Sequence, residues 1–170
     1  NNYVILGVHN HDNPTMQDKE LAIRGGEWIN LDNVIPEVSS INTMLCSVIK
    51  GTVSVYAVDD SVRESFVKSL NEKPITLLHV ATHAFYYNHD DLNNAVMKHQ
   101  IDAPMAERAL KADNTSLSGL VLRNGNKYRK MVDLPEKEDD ILTSEEIENM
   151  SFPNLKLTVL SACQTGLGDV

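Results

Sequence analysis

Apolar residues arrive along this chain in two rhythms. Unbroken runs rich in β-branched residues occur at Tyr3 to Val8, Thr52 to Val58, Ile75 to Thr82, Leu117 to Leu122 and Leu155 to Ala162. Unbroken rather than alternating apolarity marks strands covered on both faces, the habit of a parallel sheet. Between the runs the spacing turns helical. Around Pro36 to Lys50, the residues Ile35, Val38, Ile41, Leu45, Val48 and Ile49 share one face. Pro36 suits a first helical turn and Gly51 a C-terminal stop. Ser61-Val62-Arg63-Glu64 has the form of a capping box, and the helix it opens turns Val62, Phe66, Val67 and Leu70 inward. Pro74 bars further helix before the third run. Thr143-Ser144-Glu145-Glu146 is again box-like, ahead of Ile147 and Met150, and Pro153 precedes the last run.

This alternation predicts βαβ units and a doubly wound α/β sheet. Tyr86 to Leu117 is less regular, a long insertion of the kind that often carries function, with a short helix expected over Asp102 to Lys111. Asn124-Gly125 signals a tight turn, with a hairpin expected between Leu120 to Arg123 and Lys127 to Met131. Glu136 to Asp140 reads as a solvated acidic loop.

Composition narrows the function classes. The length of 170 residues is one ordinary domain or part of a slightly larger one. Apolar residues make up 42%, enough to bury a core. Fifteen Lys and Arg against twenty-four Asp and Glu give a net charge of −9, a field that repels a phosphate backbone and argues against nucleic acid. No apolar run is long enough for a membrane span. Two cysteines, Cys46 and Cys163, make no disulfide framework, so a reducing, cytoplasmic compartment is expected. The chain starts at Asn1 without an initiator Met, and a piece of something longer is expected.

Two of the runs lead straight into reactive residues: Ile75 to Thr82 into His83, and Leu155 to Ala162 into Cys163. Ligands of open α/β sheets bind outside the carboxyl ends of the strands, so parallel neighbours would bring these residues together. Cys with His is the minimum set for nucleophilic acyl transfer. Ser161, Ala162, Thr165, Gly166 and Gly168 keep the backbone near Cys163 approachable, and amide N–H groups there could hold an oxyanion. The plainer alternative is a buried structural Cys and a His satisfied by a carbonyl.

Other chemistries fit less well. His79 and His83 have the spacing of a helical zinc pair, but in a strand four residues span roughly 13 Å, too far for ligands about 2 Å from one ion. No metal is expected, and His79 reads as a core histidine. His9, His11, His89 and His99 fall in polar stretches and read as surface residues. Cys163-Gln-Thr-Gly166 lacks the Arg a phosphatase loop needs. Gly166-Leu-Gly168 could open a dinucleotide loop, but a lone Gly-x-Gly is weak, and no Walker loop or other cofactor motif occurs. Cys46 lies beside Leu45 near the buried helical stripe and reads as structural.

His79-Val-Ala-Thr-His83 with Ala84-Phe85-Tyr86, and Val159-Leu-Ser-Ala-Cys163-Gln-Thr-Gly166, resemble the two signature motifs of CHAT domains. These are caspase-like cysteine peptidases of clan CD, related to separase. Val53 to Phe66, Leu117 to Leu122 and Asp140 to Ile147 resemble further family segments in the family's order, so the likeness covers most of the chain. The resemblance implies a caspase-like three-layer sandwich with a mainly parallel sheet, present here as the N-terminal, large-subunit-like part of one domain over residues 1–170. It implies Cys163 as nucleophile, His83 as base or imidazolium partner, and an oxyanion hole from the backbone N–H groups of Ala84 and Cys163. The family usually has Gly where Ala84 stands. A positive φ there would strain Ala by about 1 kcal/mol. Family members continue past the Cys motif, so processing or truncation after Val170 is expected, with the remainder of the domain as a partner. In caspase-like sites the loop after the first strand lines the specificity pocket, and Asp12 in Val8-His-Asn-His-Asp12 is the candidate to receive a basic P1 side chain, a solvated loop Asp being the alternative. TPR repeats often accompany the family. The function expected is a cysteine endopeptidase acting on a protein substrate. The alternatives are a catalytically inactive caspase-like scaffold and, more weakly, a nucleotide-binding domain using Gly166 and Gly168.

Overall fold

The computed structural model describes residues 1–11, 28, 30–57, 61–86, 118–125 and 140–162. Along the chain they form β1 (Asn2–Gly7), α1 (Val34–Val48), β2 (Thr52–Tyr56), α2 (Glu64–Ser69), β3 (Leu77–Ala81), β4 (His83–Tyr86), β5 (Ser118–Val121), β6 (Ile141–Thr143), α3 (Ser144–Glu148) and β7 (Leu157–Ser161). Four strands make a wholly parallel sheet in the order β2-β1-β3-β7, and three make an antiparallel sheet in the order β4-β5-β6.

The unbroken apolar pattern of β1 has the cause inferred from it. Tyr3 and Ile5 face one way, onto Val34, Val38 and Leu45 of α1 together with Ala57 and Ala81. Val4, Leu6 and Val8 face the other way, onto Val62, Val67 and Leu70 around α2, Leu78 and Val80 of β3, and Leu120, Leu122 and Leu142 of the antiparallel sheet region. The result is three layers: α1, the parallel sheet, and α2 with the smaller sheet. Ile5 and Leu6 are fully buried, each worth about 1.5–3 kcal/mol relative to exposure. Gly7 lets α1 close in, because a Cβ there would lie 2.8 Å from methyl carbons of both Val34 and Val38.

Several expectations need correction. The run Leu117 to Leu122 does not join the parallel sheet; its described part forms β5, antiparallel to both β4 and β6. Its apolarity comes from burial on two sides, with Leu120 and Leu122 against the main core and Val121 in a second cluster with Trp28, Phe85 and Ile141. Two-sided burial, not parallel pairing, produces an unbroken run. β4 and β6, of four and three residues, are too short for the apolar rhythm to mark them as strands. The Asn124-Gly125 turn closes through Gly125 N–H to the Leu122 carbonyl at 3.1 Å. Lys127 to Met131, its expected return strand, lies outside the described residues, as does the expected helix over Asp102 to Lys111.

The capping box at Thr143 forms, with the Thr143 hydroxyl accepting from Glu146 N–H and the Glu146 carboxylate accepting from Thr143 N–H. The one expected at Ser61 does not. α2 starts at Glu64 with no side-chain cap, because the Glu64 carboxylate is committed to Lys68 and to Asp140 N–H. Asp140 is buried rather than solvated, with φ 56°, and its carboxylate in turn accepts from Glu64 N–H at 2.9 Å. Cys46 is exposed, since α1 buries Val34, Val38 and Leu45 and the residue after Leu45 is rotated off that stripe.

Candidate functional site

β3 and β7 are parallel neighbours in a constant register, Leu77 beside Leu157 through to Ala81 beside Ser161. Thr82 N–H extends the ladder by donating to the Ser161 carbonyl at 3.2 Å. His83 follows Ala81 by two residues, and in sequence Cys163 follows Ser161 by two. Cys163 lies outside the described residues, as do Asp12, Gly166, Gly168, His89 and His99.

His83 opens β4 and is partly exposed, while the Thr82 before it is buried. Ala84 pairs with Leu120 within β4, and the positive-φ residues other than Gly, among those described, are Glu72 and Asp140. Ala84 therefore carries no left-handed strain, and its departure from Gly costs nothing in the backbone.

His79 is the core histidine expected, buried beneath the strand ends. Its Nε2 lies 3.0 Å from Oε1 of Glu37 on α1, and Ser161 Oγ donates to the other oxygen, Oε2, at 3.1 Å. One carboxylate thus ties β3 to β7 just below their carboxyl ends. In the sequence Glu37 was only a polar position on a helix, and nothing marked its partners.

His11 departs furthest from expectation. It is fully buried, not on the surface. Its ring lies 4.9 Å from that of His83, centroid to centroid, tilted by 55°. Its Nε2 lies 3.3 Å from Thr82 Oγ1, and the Thr82 hydroxyl donates to the Val121 carbonyl. Burial first, then the neighbouring His83 and Arg123, push its pKa down to about 3, so it is neutral. Arg123 Nη1 donates to the Asn10 carbonyl at 2.8 Å, which holds the segment leading into His11. His9 is half-buried, with Nδ1 3.1 Å from the Leu31 carbonyl.

Away from the strand ends, Lys68 on α2 reaches two carboxylates, buried Glu64 and, at 2.7 Å, Glu146 on α3. Burial pushes the pKa of Glu64 up to about 7, with the nearby Glu146 adding to the rise and Lys68 opposing it. Asn124 Nδ2 donates to Asp140 at 2.7 Å, which extends the cluster to the turn after β5.

Among the described residues there is no cluster of three metal-ligating side chains, and no helix long and apolar enough to cross a membrane. Compared with known proteins, the chain matches a family model, that of the CHAT domain, over residues 2–170. Neither the curated proteins nor the solved structures compared with it yielded a match.

Proposed function

The chain belongs to the CHAT domain family, a caspase-like fold related to peptidases, and on that premise we propose that it is a cysteine endopeptidase with Cys163 as nucleophile and His83 as general base. The observation that supports this reading is the β3–β7 register, which sets Ala81, two residues before His83, beside Ser161, two residues before Cys163 in sequence. The Cys163 thiol gives its proton to His83, and the sulfur attacks the carbonyl carbon of the scissile peptide. Backbone N–H groups of Ala84 and Cys163 hold the developing oxyanion. His83 passes the proton to the leaving amine as the C–N bond breaks, leaving a thioester. Water, deprotonated by His83, then releases the acid and restores the thiol. The substrate is a protein, with Asp12 as the residue offered to a basic P1 side chain. The thiol chemistry suits a reducing, cytoplasmic setting.

β7 supports a further element of this reading. It is an edge strand among the described residues, and Leu157, Val159 and Leu160 are exposed by 51%, 39% and 42%. An open edge with apolar side chains invites pairing. The proposed occupant is the remainder of the domain, on the same or a separate chain, with TPR repeats as regulatory partners.

The test is peptide cleavage by the complete domain under reducing conditions, with any activating partner supplied. Cys163→Ala is expected to abolish turnover and His83→Ala to cost nearly as much, because groups acting as a unit fail together. Full activity in Cys163→Ala refutes the mechanism. An inactive wild type favours the non-catalytic scaffold.

A further inference from the structure

The tautomer of His11 follows from its surroundings. The Thr82 hydroxyl has one proton and gives it to the Val121 carbonyl, so Thr82 Oγ1 meets His11 Nε2 with a lone pair. Nε2 must therefore bear the hydrogen, which leaves Nδ1 as a bare acceptor. That atom is buried and has no hydrogen-bond partner among the described residues. A buried acceptor left unpaired is costly and calls for an explanation. The ring packed against His11 is that of His83, at 4.9 Å between centroids.

We propose that His11 is a positioning residue for His83, its Nδ1 accepting one ring N–H of His83 as the working site forms, so that Val121, Thr82, His11 and His83 make one hydrogen-bonded chain. This rests on the peptidase reading of His83 for its purpose. An imidazole that donates one N–H to His11 presents its other nitrogen as a lone pair, the form a base needs to take the thiol proton. The His83 ring is partly exposed, and catalytic hydrogen bonds often tighten only when substrate is bound. The suppressed basicity of His11 keeps its lone pair available across the neutral range. As His83 becomes imidazolium during turnover, the same bond strengthens, because the donor is then charged.

The experiment uses the full-length protein with ¹⁵N-labelled histidine, and reads the tautomers of His11 and His83 by long-range proton–nitrogen NMR, with and without a substrate-like aldehyde inhibitor. His11 is expected in the Nε2–H form. With inhibitor bound, His83 is expected to show one slowly exchanging N–H. His11→Phe keeps a ring but no acceptor, and should lose that N–H signal and lower kcat by roughly tenfold with KM little changed. His11→Asn places an amide oxygen near the lost Nδ1 and should recover much of both. An Nδ1–H tautomer of His11 overturns the proposal, as does a His11→Phe variant with kcat within about twofold of wild type and an unaltered His83 N–H. If His11→Phe does not fold, the wild-type tautomer decides alone. Cysteine-dependent cleavage with a His83 that ignores His11 sinks this inference and spares the peptidase. A His83 N–H that responds to His11 in a protein that cleaves nothing does the reverse.

Discussion

Ser161 on β7 donates its hydroxyl to Glu37 on α1 at 3.1 Å, although 124 positions separate them in the chain. The same carboxylate holds His79 of β3, so an α1 side chain staples the two strands that lead to the proposed dyad. Glu37→Ala removes the staple and leaves two polar groups without their acceptor. The expected cost is about 1–3 kcal/mol in denaturant unfolding. Amide exchange should quicken over β7 more than over β1. Equal exchange in both strands would deny Glu37 this role.

The burial of His11 predicts a pH dependence of stability. Its pKa falls from 6.5 to about 3 on folding. Below 6.5 the unfolded chain takes up a proton that the folded chain refuses. Stability from this group is therefore complete above 6.5 and is lost as pH falls toward 3, with a slope approaching about 1.4 kcal/mol per pH unit. Other groups titrate in the same range, so the difference between wild type and His11→Phe is the informative quantity. Urea unfolding at pH 7.5, 6 and 5 should show a flatter profile in the variant; parallel profiles would contradict the assignment.

Lys68 compensates Glu64, a carboxylate on α2 that burial alone would neutralise. Lys68→Met should destabilise by about 2–3 kcal/mol at pH 8. Without the ammonium, Glu64 escapes the penalty by binding a proton, so the loss should shrink toward pH 6. Thermal unfolding at both pH values checks the sign, and a loss that is the same at both would show that Lys68 acts chiefly on Glu146, whose carboxyl is held below its ordinary range and stays charged throughout.

Cys46 is exposed on α1, with its thiol 3.5 Å from Asn42 Oδ1. It should alkylate readily in the native protein, so thiol labelling does not by itself distinguish it from Cys163. Cys46→Ala is expected to leave turnover intact and to change stability by about 0.5 kcal/mol or less. Intact-mass analysis after brief iodoacetamide treatment, in wild type and Cys46→Ala, gives the count of reactive thiols.

If the remainder of the domain covers β7, Leu160→Lys buries a charge in the assembled protein. Unfolding of the complete domain should then lose about 2 kcal/mol or more, with reduced cleavage. A change within about 0.5 kcal/mol would mean that this face stays in water.

The strands β1, β2, β3 and β7 and the helix α1 were legible in the sequence because their causes are local or nearly so: apolar rhythm, Pro36 and Gly51 as punctuation, and β-branched runs. His83 and Cys163 could be singled out for the same reason, each standing at the end of such a run. The Thr143 capping box also formed as read, since its partners lie three residues apart. The failures share the opposite property. Polar residues such as Glu64, Asp140 and His11 look solvated in one dimension, and only the tertiary structure supplies partners from distant segments: Asp140 for Glu64, Thr82 and His83 for His11, Glu37 for His79. β5 failed differently. Its apolar residues announced burial on two sides, and burial is all that apolarity encodes, whereas the direction of pairing depends on where the chain turns after β3. That turn occurs at Thr82, a single residue whose buried hydroxyl binds the Val121 carbonyl of β5 and sets the second sheet against the first.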